Sequence, residues 1–196
     1  MGRASKADAQ KHRDEVVTAA ARMFRERGIG AVSVPELMAA AGLTHGGFYR
    51  HFPSKDALAA TAVSAAFAEQ VAWTKAIFER HQGDPEAGHA EIVDVYLSTD
   101  HRDQPGTGCA HAGLAIDASH TSTDSGVREA FAAGMRETVD TLATSGGQTR
   151  ESKARREAAL VELATLVGGM VLARATAGEE ISDQVLAAVR KSLAQT

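Results

Sequence analysis

Apolar residues near the start of the chain recur at helical spacing. Val16, Ala20, Met23 and Phe24 fall at i, i+4, i+7 and i+8, one face of an α-helix, and predict a first helix over about 8–27. Gly28 and Gly30 end it, with Ile29 between them turned back onto the core. Ser33-Val34-Pro35-Glu36 then reads as a capping box, in which the Ser33 hydroxyl accepts from the Glu36 amide while Glu36 reaches back to Ser33. Pro35 is tolerated there because first-turn amides have no partner within the helix. The short second helix places Leu37, Ala40 and Ala41 inward, and Gly42 supplies a left-handed stop. Only Leu43 separates Gly42 from Thr44, the expected N-cap of a third helix over 45–51. Two short helices joined by so tight a glycine turn predict a helix-turn-helix. Pro53 then breaks the chain, and Ser54 caps a long fourth helix that carries Leu58, Phe67, Val71, Ile77 and Phe78 to about Arg80.

Beyond that helix the apolar pattern supports further helices at about 85–100, 108–119, 124–144, 151–177 and 182–194. Gly, Pro, Asp and Ser clusters separate them, and DHRDQPGTG (100–108) is the most loop-like stretch. No strand alternation and no repeat is present. The expected fold is all-α: an N-terminal three-helix helix-turn-helix domain over 1–53, with 1–7 as a flexible arm, followed by a larger helical domain over 54–196.

Composition agrees: 44% of residues are hydrophobic but only 5% aromatic, and the four prolines (Pro35, Pro53, Pro85, Pro105) all fall between helical stretches. The longest apolar run without a charge, between Glu162 and Arg174, falls short of the roughly 18 residues a bilayer span needs. The start, MGRASKADAQKHRDE, lacks the apolar segment of a secretory signal. Cys109 is the single cysteine, which excludes an internal disulfide and a multi-cysteine zinc site. A cytoplasmic protein without a membrane segment is expected. Its charge is uneven. Residues 1–55 hold nine Lys or Arg against five Asp or Glu, and the rest hold twelve against twenty, so +4 and −8 make the net −4. A basic front on an acidic body suggests that only the front meets a polyanion.

The stretch THGGFYRHF (44–52) carries the chemistry. Counted from Thr44 as cap, His45, Gly46 and Gly47 occupy the first helical turn, where low helix propensity matters little. Leu43 and Phe48 take the positions of a hydrophobic staple. A recognition helix presents such a first turn to base edges in the major groove. Glycines there let the backbone approach DNA and leave amides free. Thr44 and His45 suit base edges; Tyr49, Arg50 and His51 suit phosphates. Lys55, at the positive end of the fourth helix's dipole, is unfavourable alone and favourable beside a phosphate. The same stretch also alternates aromatic and basic residues like an RNA-binding strand, but that motif needs a sheet, and nothing nearby reads as a strand.

At these residues the chain resembles the DNA-binding domain of the TetR family of bacterial repressors. The resemblance covers about 10–58 and is carried by Ser33, Gly42, Thr44, Gly46, Phe48, Tyr49, His51, Phe52 and Lys55. Two positions depart from the family pattern: Met38 stands where a small residue is usual, and Gly47 where a polar one is commoner. The resemblance implies a homodimer that binds a palindromic operator through Ser33, Thr44, His45, Gly46, Gly47, Tyr49, Arg50, His51 and Lys55. It also implies a small-molecule inducer bound in the C-terminal domain, and dimerisation through the last two long helices. Two stripes there fit on their own account: Leu160, Leu163, Val167, Met170 and Val171 on one, Ile181, Val185, Leu186 and Val189 on the other, with Gly168 and Gly169 permitting close helix approach.

The segment GTGCAHAGLAIDAS (106–119) is the remaining candidate site, and its Gly-Cys pair resembles a subset of the same family. A thiol at a helix N-terminus has a lowered pKa, so Cys109, assisted by His111, is a candidate sensor of oxidants or electrophiles. The expected ligand lining is Phe67, Trp73, Phe78, Tyr96, Cys109, Phe131 and Met135. No cofactor, metal-ligand spacing, phosphate loop or nucleophile elbow is present in the sequence, so enzymatic function finds no support there.

Overall fold

The computed structural model describes residues 6–144 and 152–194. They form ten α-helices: α1 Lys6–Arg27, α2 Val34–Ala40, α3 Phe48–His51, α4 Lys55–Arg80, α5 Pro85–Tyr96, α6 Thr99–Asp103, α7 Ala110–His120, α8 Gly126–Thr144, α9 Lys153–Ala175 and α10 Glu180–Leu193. Among the described residues there is no strand, as the sequence predicts. Of the arm assigned to 1–7, Lys6 and Ala7 are helical, and 1–5 lie outside the described residues, as does residue 151 of the helix expected from 151 onward.

Local signals place the first elements. The capping box forms as read: the Ser33 amide donates to Glu36 Oε2 at 2.8 Å and the Glu36 amide to Ser33 Oγ at 3.4 Å. Gly42 takes φ +71°, the left-handed region open to glycine, and turns the chain out of α2. Two details differ from expectation. Met38, not Ala40, is the second inward residue of α2, because α2 presents a face to α1 that the 37, 38 pair occupies and 40 does not. The stretch 100–108 is not a loop: α6 and a 3₁₀ turn, Pro105–Thr107, fill it, with Ser98 capping α6 through the His101 amide at 3.2 Å.

One apolar cluster runs from the helix-turn-helix into the body. Val16, Phe24, Leu37, Met38, Phe48 and Phe52 join Leu58 and Phe67 of α4 and Leu114 of α7 without a break. Helices α4 and α8 make the most extensive pairing, drawn close where Gly134 meets the Phe67 side chain; a Cβ at 134 would overlap that ring. A second cluster joins Tyr96 and Leu97 to Cys109, Leu166, Met170 and Leu186, seating α9 and α10 on α5 and α7.

Helix α9 is, among the described residues, the one helix long and apolar enough to cross a membrane by length and composition. One side of it packs within the chain and the other is uncovered: 33% of its most apolar window is buried, and its Glu162 meets His89 Nε2 of α5 at 2.9 Å.

Candidate functional site

The helix-turn-helix presents 44–51 at the surface. The third helix is not continuous from 45. His45–Gly47 forms a 3₁₀ turn and α3 begins at Phe48. Thr44 is extended at the cap position but its hydroxyl makes no capping bond, so its side chain is unspent. Phe48 is fully buried and Leu43 packs on the same core, which anchors the turn as the staple reading expects. Outside this anchor, His45, Tyr49 and Arg50 are exposed, Tyr49 to 73%. His51 is half-buried.

Neither glycine of the turn is demanded by the fold. Their φ values are not positive. A Cβ at Gly46 would have nothing within 4 Å, and one at Gly47 would only touch Met38 Cε at 3.5 Å. That contact joins the two departures from the family pattern: the larger Met38, buried at 0% exposure, lies directly beneath Gly47.

The flanking residues are more occupied than the sequence suggests. The Ser33 hydroxyl donates to Glu36 Oε2 at 2.6 Å, and Arg27 pairs with the other carboxylate oxygen at 2.8 Å. The hydrogen bonds from Ser33, then the one from Arg27, hold the Glu36 carboxyl down to about 2. Lys55 sits in the first turn of α4 as predicted, but its Nζ donates to the Ile29 carbonyl at 2.6 Å. The cation thus has an acceptor inside the chain, and two of its protons remain for another. The Ile29 amide in turn donates to Asp117 Oδ1 of α7 at 2.9 Å. The turn that ends α1 is therefore held by α4 on one side and α7 on the other.

The body contains a cavity of about 250 Å³ whose lining includes Arg25, Glu69, Trp73, Tyr96, Gly108 and Cys109. Of the expected lining, Trp73, Tyr96 and Cys109 are there. Phe67 is core, edge-on to His111 and Phe131 at 4.7 and 5.2 Å; Phe131 packs with it; Phe78 abuts Gly88; Met135 points outward. All four are apolar residues of long helices whose buried side faces another helix, not the void. Sequence reading missed Arg25, Glu69, Gln70 and His101. The available signal for Arg25 was its place four residues after Ala21 on the buried face of α1, where a charge requires a partner.

Three acceptors surround Arg25. It is buried, and donates to Ala21 O at 3.1 Å, Gly108 O at 3.2 Å and Glu69 Oε2 at 2.9 Å. His101 pins the same turn, its Nδ1 against Tyr96 O at 2.6 Å and its Nε2 accepting from the Cys109 amide at 3.0 Å. These partners fix a neutral ring with the proton on Nδ1. Gln70 accepts from the Ala110 amide at 3.0 Å through Oε1, so its Nε2 donates to His111 Nδ1 at 3.3 Å. His111 then carries its proton on Nε2, which finds no acceptor among the described residues, and burial lowers its pKa to about 4.

Cys109 reverses the sequence expectation. It is the N-cap of α7, its sulfur accepting from the Ala112 amide at 3.5 Å. With 2% exposure, burial pushes the thiol above its ordinary value, against smaller opposing effects of Tyr96, two backbone amides and Arg174. Desolvation outweighs the helix terminus, and a lowered pKa does not occur.

On the face formed by α9 and α10, the expected stripe divides. Leu163, Met170 and Leu186 are buried within the chain, and Val167, Val185 and Val189 pack on the second cluster. Gly169 is spent inside, where a Cβ would approach Val189 Cγ2 to 2.9 Å, whereas Gly168 faces open space. Leu160, Val171 and Ile181 are exposed, with Val161 and Leu172, which the sequence reading left out, exposed to 67% and 58%.

The family model for bacterial regulatory proteins of the tetR family matches residues 16–62. The HTH-type transcriptional regulator AcrR of Shigella flexneri is 38% identical over 58 residues, which span 30% of this chain and 27% of that regulator's length. A TetR transcriptional regulator from Chloroflexus aurantiacus is similar over 96% of this chain and 95% of its own, with 26% identity and a TM-score of 0.73. Residues 16–62 are thus similar to the DNA-binding region of tetR-family regulators, and the rest of the chain shares its fold with solved regulators of that kind. The reduced form of NemR from E. coli shares the fold at a TM-score of 0.75, with 21% identity over 92% of this chain and 96% of that one. The family model's stretch ends within α4; it includes Arg25 of the cavity wall, whereas Glu69, Gln70 and Trp73 follow further along the same helix.

Proposed function

We propose that this chain is a ligand-responsive transcriptional repressor, which binds a palindromic operator as a homodimer and is released by a small molecule in the body cavity. Residues 1–53 form the DNA-binding domain and 54–196 the regulatory and dimerisation domain. It works in the bacterial cytoplasm, on the nucleoid when bound. The observation that carries this reading is the 3₁₀ turn at His45–Gly47. Two glycines stand there that neither backbone conformation nor packing requires. They are flanked by the exposed His45, Tyr49 and Arg50 and the unspent Thr44 hydroxyl. A bare turn ringed by donors suits a close approach to base edges and phosphates.

The uncovered apolar side of α9 supports the dimer. Val161, Gly168 and Leu172, at i, i+7 and i+11, lie along one face of α9, and Ile181 of α10 is exposed as well. A second copy of the chain fits this face, since two-fold pairing of small and branched residues lets helices approach closely.

The test uses labelled duplex from the gene's own upstream region. The expected result is binding whose log affinity falls with log salt, with a slope of about −0.9 per phosphate neutralised. Leu172→Arg should yield monomers and lose most of this affinity. Absence of salt-sensitive binding, or full affinity from a monomeric variant, would overturn the reading.

A further inference from the structure

We propose that the cavity is built for a small carboxylate with a flat apolar body, and that the ligand's carboxylate displaces Glu69 from Arg25. This rests on the reading of the cavity as the effector site.

Four features point to it. First, the Arg25 guanidinium is nine-tenths buried in the cavity wall, while its acidic partner, the Glu69 side chain, is 59% exposed. Glu69 can rotate into water without loss of packing; Arg25 cannot. Second, a further guanidinium, that of Arg174, stands behind the Gly108 turn and donates only to the carbonyls of Arg102 and His101, with no ion pair among the described residues. It lines a neighbouring pocket with Glu26 and Asp103 and backs the cavity through the Gly108 turn. Third, the Tyr96 hydroxyl is buried and meets no oxygen or nitrogen partner among the described residues, its one polar neighbour being the Cys109 thiol. A thiol is a weak partner, so a stronger acceptor would satisfy this hydroxyl better. Fourth, Trp73, Val95 and the Tyr96 ring supply an apolar part of the wall. At about 250 Å³ the space lies below the range of drug-sized sites, so the body is a single ring or its equivalent.

The exchange also has a mechanical consequence. Arg25 belongs to the last turn of α1 and ties it to Gly108 at the entry of α7 and to Glu69 of α4. Replacing Glu69 by a diffusible anion keeps the buried charge compensated yet removes the ion pair between α1 and α4, leaving the Lys55–Ile29 bond and the apolar contacts in place. One restraint on the last turn of α1 is thereby released. The fork geometry of Arg25 matters, because a planar guanidinium holds a carboxylate bidentately.

Trp73 is the only tryptophan and lines the cavity, so its fluorescence reads occupancy without DNA. Benzoate and 3-phenylpropionate are titrated into the full-length chain beside benzamide and 3-phenylpropionamide. The acids should change the Trp73 emission saturably, and the amides should bind at least about tenfold more weakly. Glu69→Gln removes the competing carboxylate and should tighten the acids several-fold; Arg25→Lys, checked for helicity by circular dichroism, should weaken them. Equal binding of acids and amides, no response to either, or unchanged acid affinity in Glu69→Gln overturns the proposal. A parallel titration of the operator complex separates the two readings. Acids that bind with this charge dependence but leave the operator complex intact uphold the ligand class and refute the effector role.

Discussion

Two three-residue 3₁₀ turns, His45–Gly47 and Pro105–Thr107, precede α3 and α7, the first holding Gly46 and Gly47, the second holding Gly106 and followed by Gly108. In sequence each brings two glycines to the entry of a helix. In the fold they are opposites. At the first, a Cβ on Gly46 would meet nothing within 4 Å. At the second, a Cβ on Gly106 would overlap the Glu26 side chain, and one on Gly108 would lie 2.6 Å from Arg174 Nη2 and 2.8 Å from His101 Nε2. None of the three has a positive φ, so backbone freedom explains neither turn. The second turn needs glycine because other parts of the chain press against it. The first has no such internal reason, and its reason lies in what it meets. A glycine is thus evidence for a partner only after the chain itself has been shown to leave room.

The contrast extends to chemistry. The first turn's side chains face water, whereas the second is backed by the buried Cys109 and His111 and the half-buried His101. Acid should therefore attack the second turn. Burial lowers His111 to about 4 from an ordinary 6.5, so the unfolded chain binds a proton that the folded one refuses. Stability contributed by the neutral ring is complete above pH 6.5 and declines as pH falls towards 4. Integrated over that window the loss approaches about 3 kcal/mol. Urea unfolding at pH 7 and pH 4.5 should show a drop in the wild type that shrinks in His111→Gln. Equal drops in both would mean that the ring is not the acid-sensitive group.

The next largest effect is expected from Gly108→Ala. The added methyl displaces Arg174 from His101 O, or His101 from the Cys109 amide, and overpacking of this kind costs about 1–3 kcal/mol. Thermal unfolding measures it directly. A variant as stable as the wild type would show that the turn yields, and would remove the distinction between the two turns.

How far these turns were legible follows from what each depends on. Ser33-Val34-Pro35-Glu36, Gly42 and the Leu43/Phe48 staple are local signals, complete within a few residues, and each took its expected place. The choice between Ala40 and Met38 was not legible, because two helical turns carry too few positions to orient a face. On α9 the difficulty was greater. Leu163, Leu166 and Met170 face inward while Val161, Leu172 and Gly168 face outward, and a helix apolar all round has no polar side to say which is which. Cys109 failed for a different reason. The helix-terminus argument holds for a thiol near water, and whether α7 begins in water depends on α5 and α9, distant in sequence. Arg25, whose partners Glu69 and Gly108 lie 44 and 83 positions away, belongs to the same class of contact.

The smallest change in the molecule gives the sharpest separation of the turns. Gly46→Ala adds one methyl to open space. Because alanine restricts the unfolded chain, stability should hold or rise, by at most about 1 kcal/mol. If the turn lies against base edges, the same methyl holds the backbone away, and operator affinity should fall by about tenfold, or about 1.4 kcal/mol. The two readouts, melting temperature and anisotropy titration at fixed salt, must therefore move apart, whereas in Gly108→Ala stability falls first. The double variant should show the two effects adding, since no side chain is shared between the turns. Undiminished operator affinity in Gly46→Ala would leave the first turn with neither an internal nor an external reason for its glycine, and the comparison would lose its meaning.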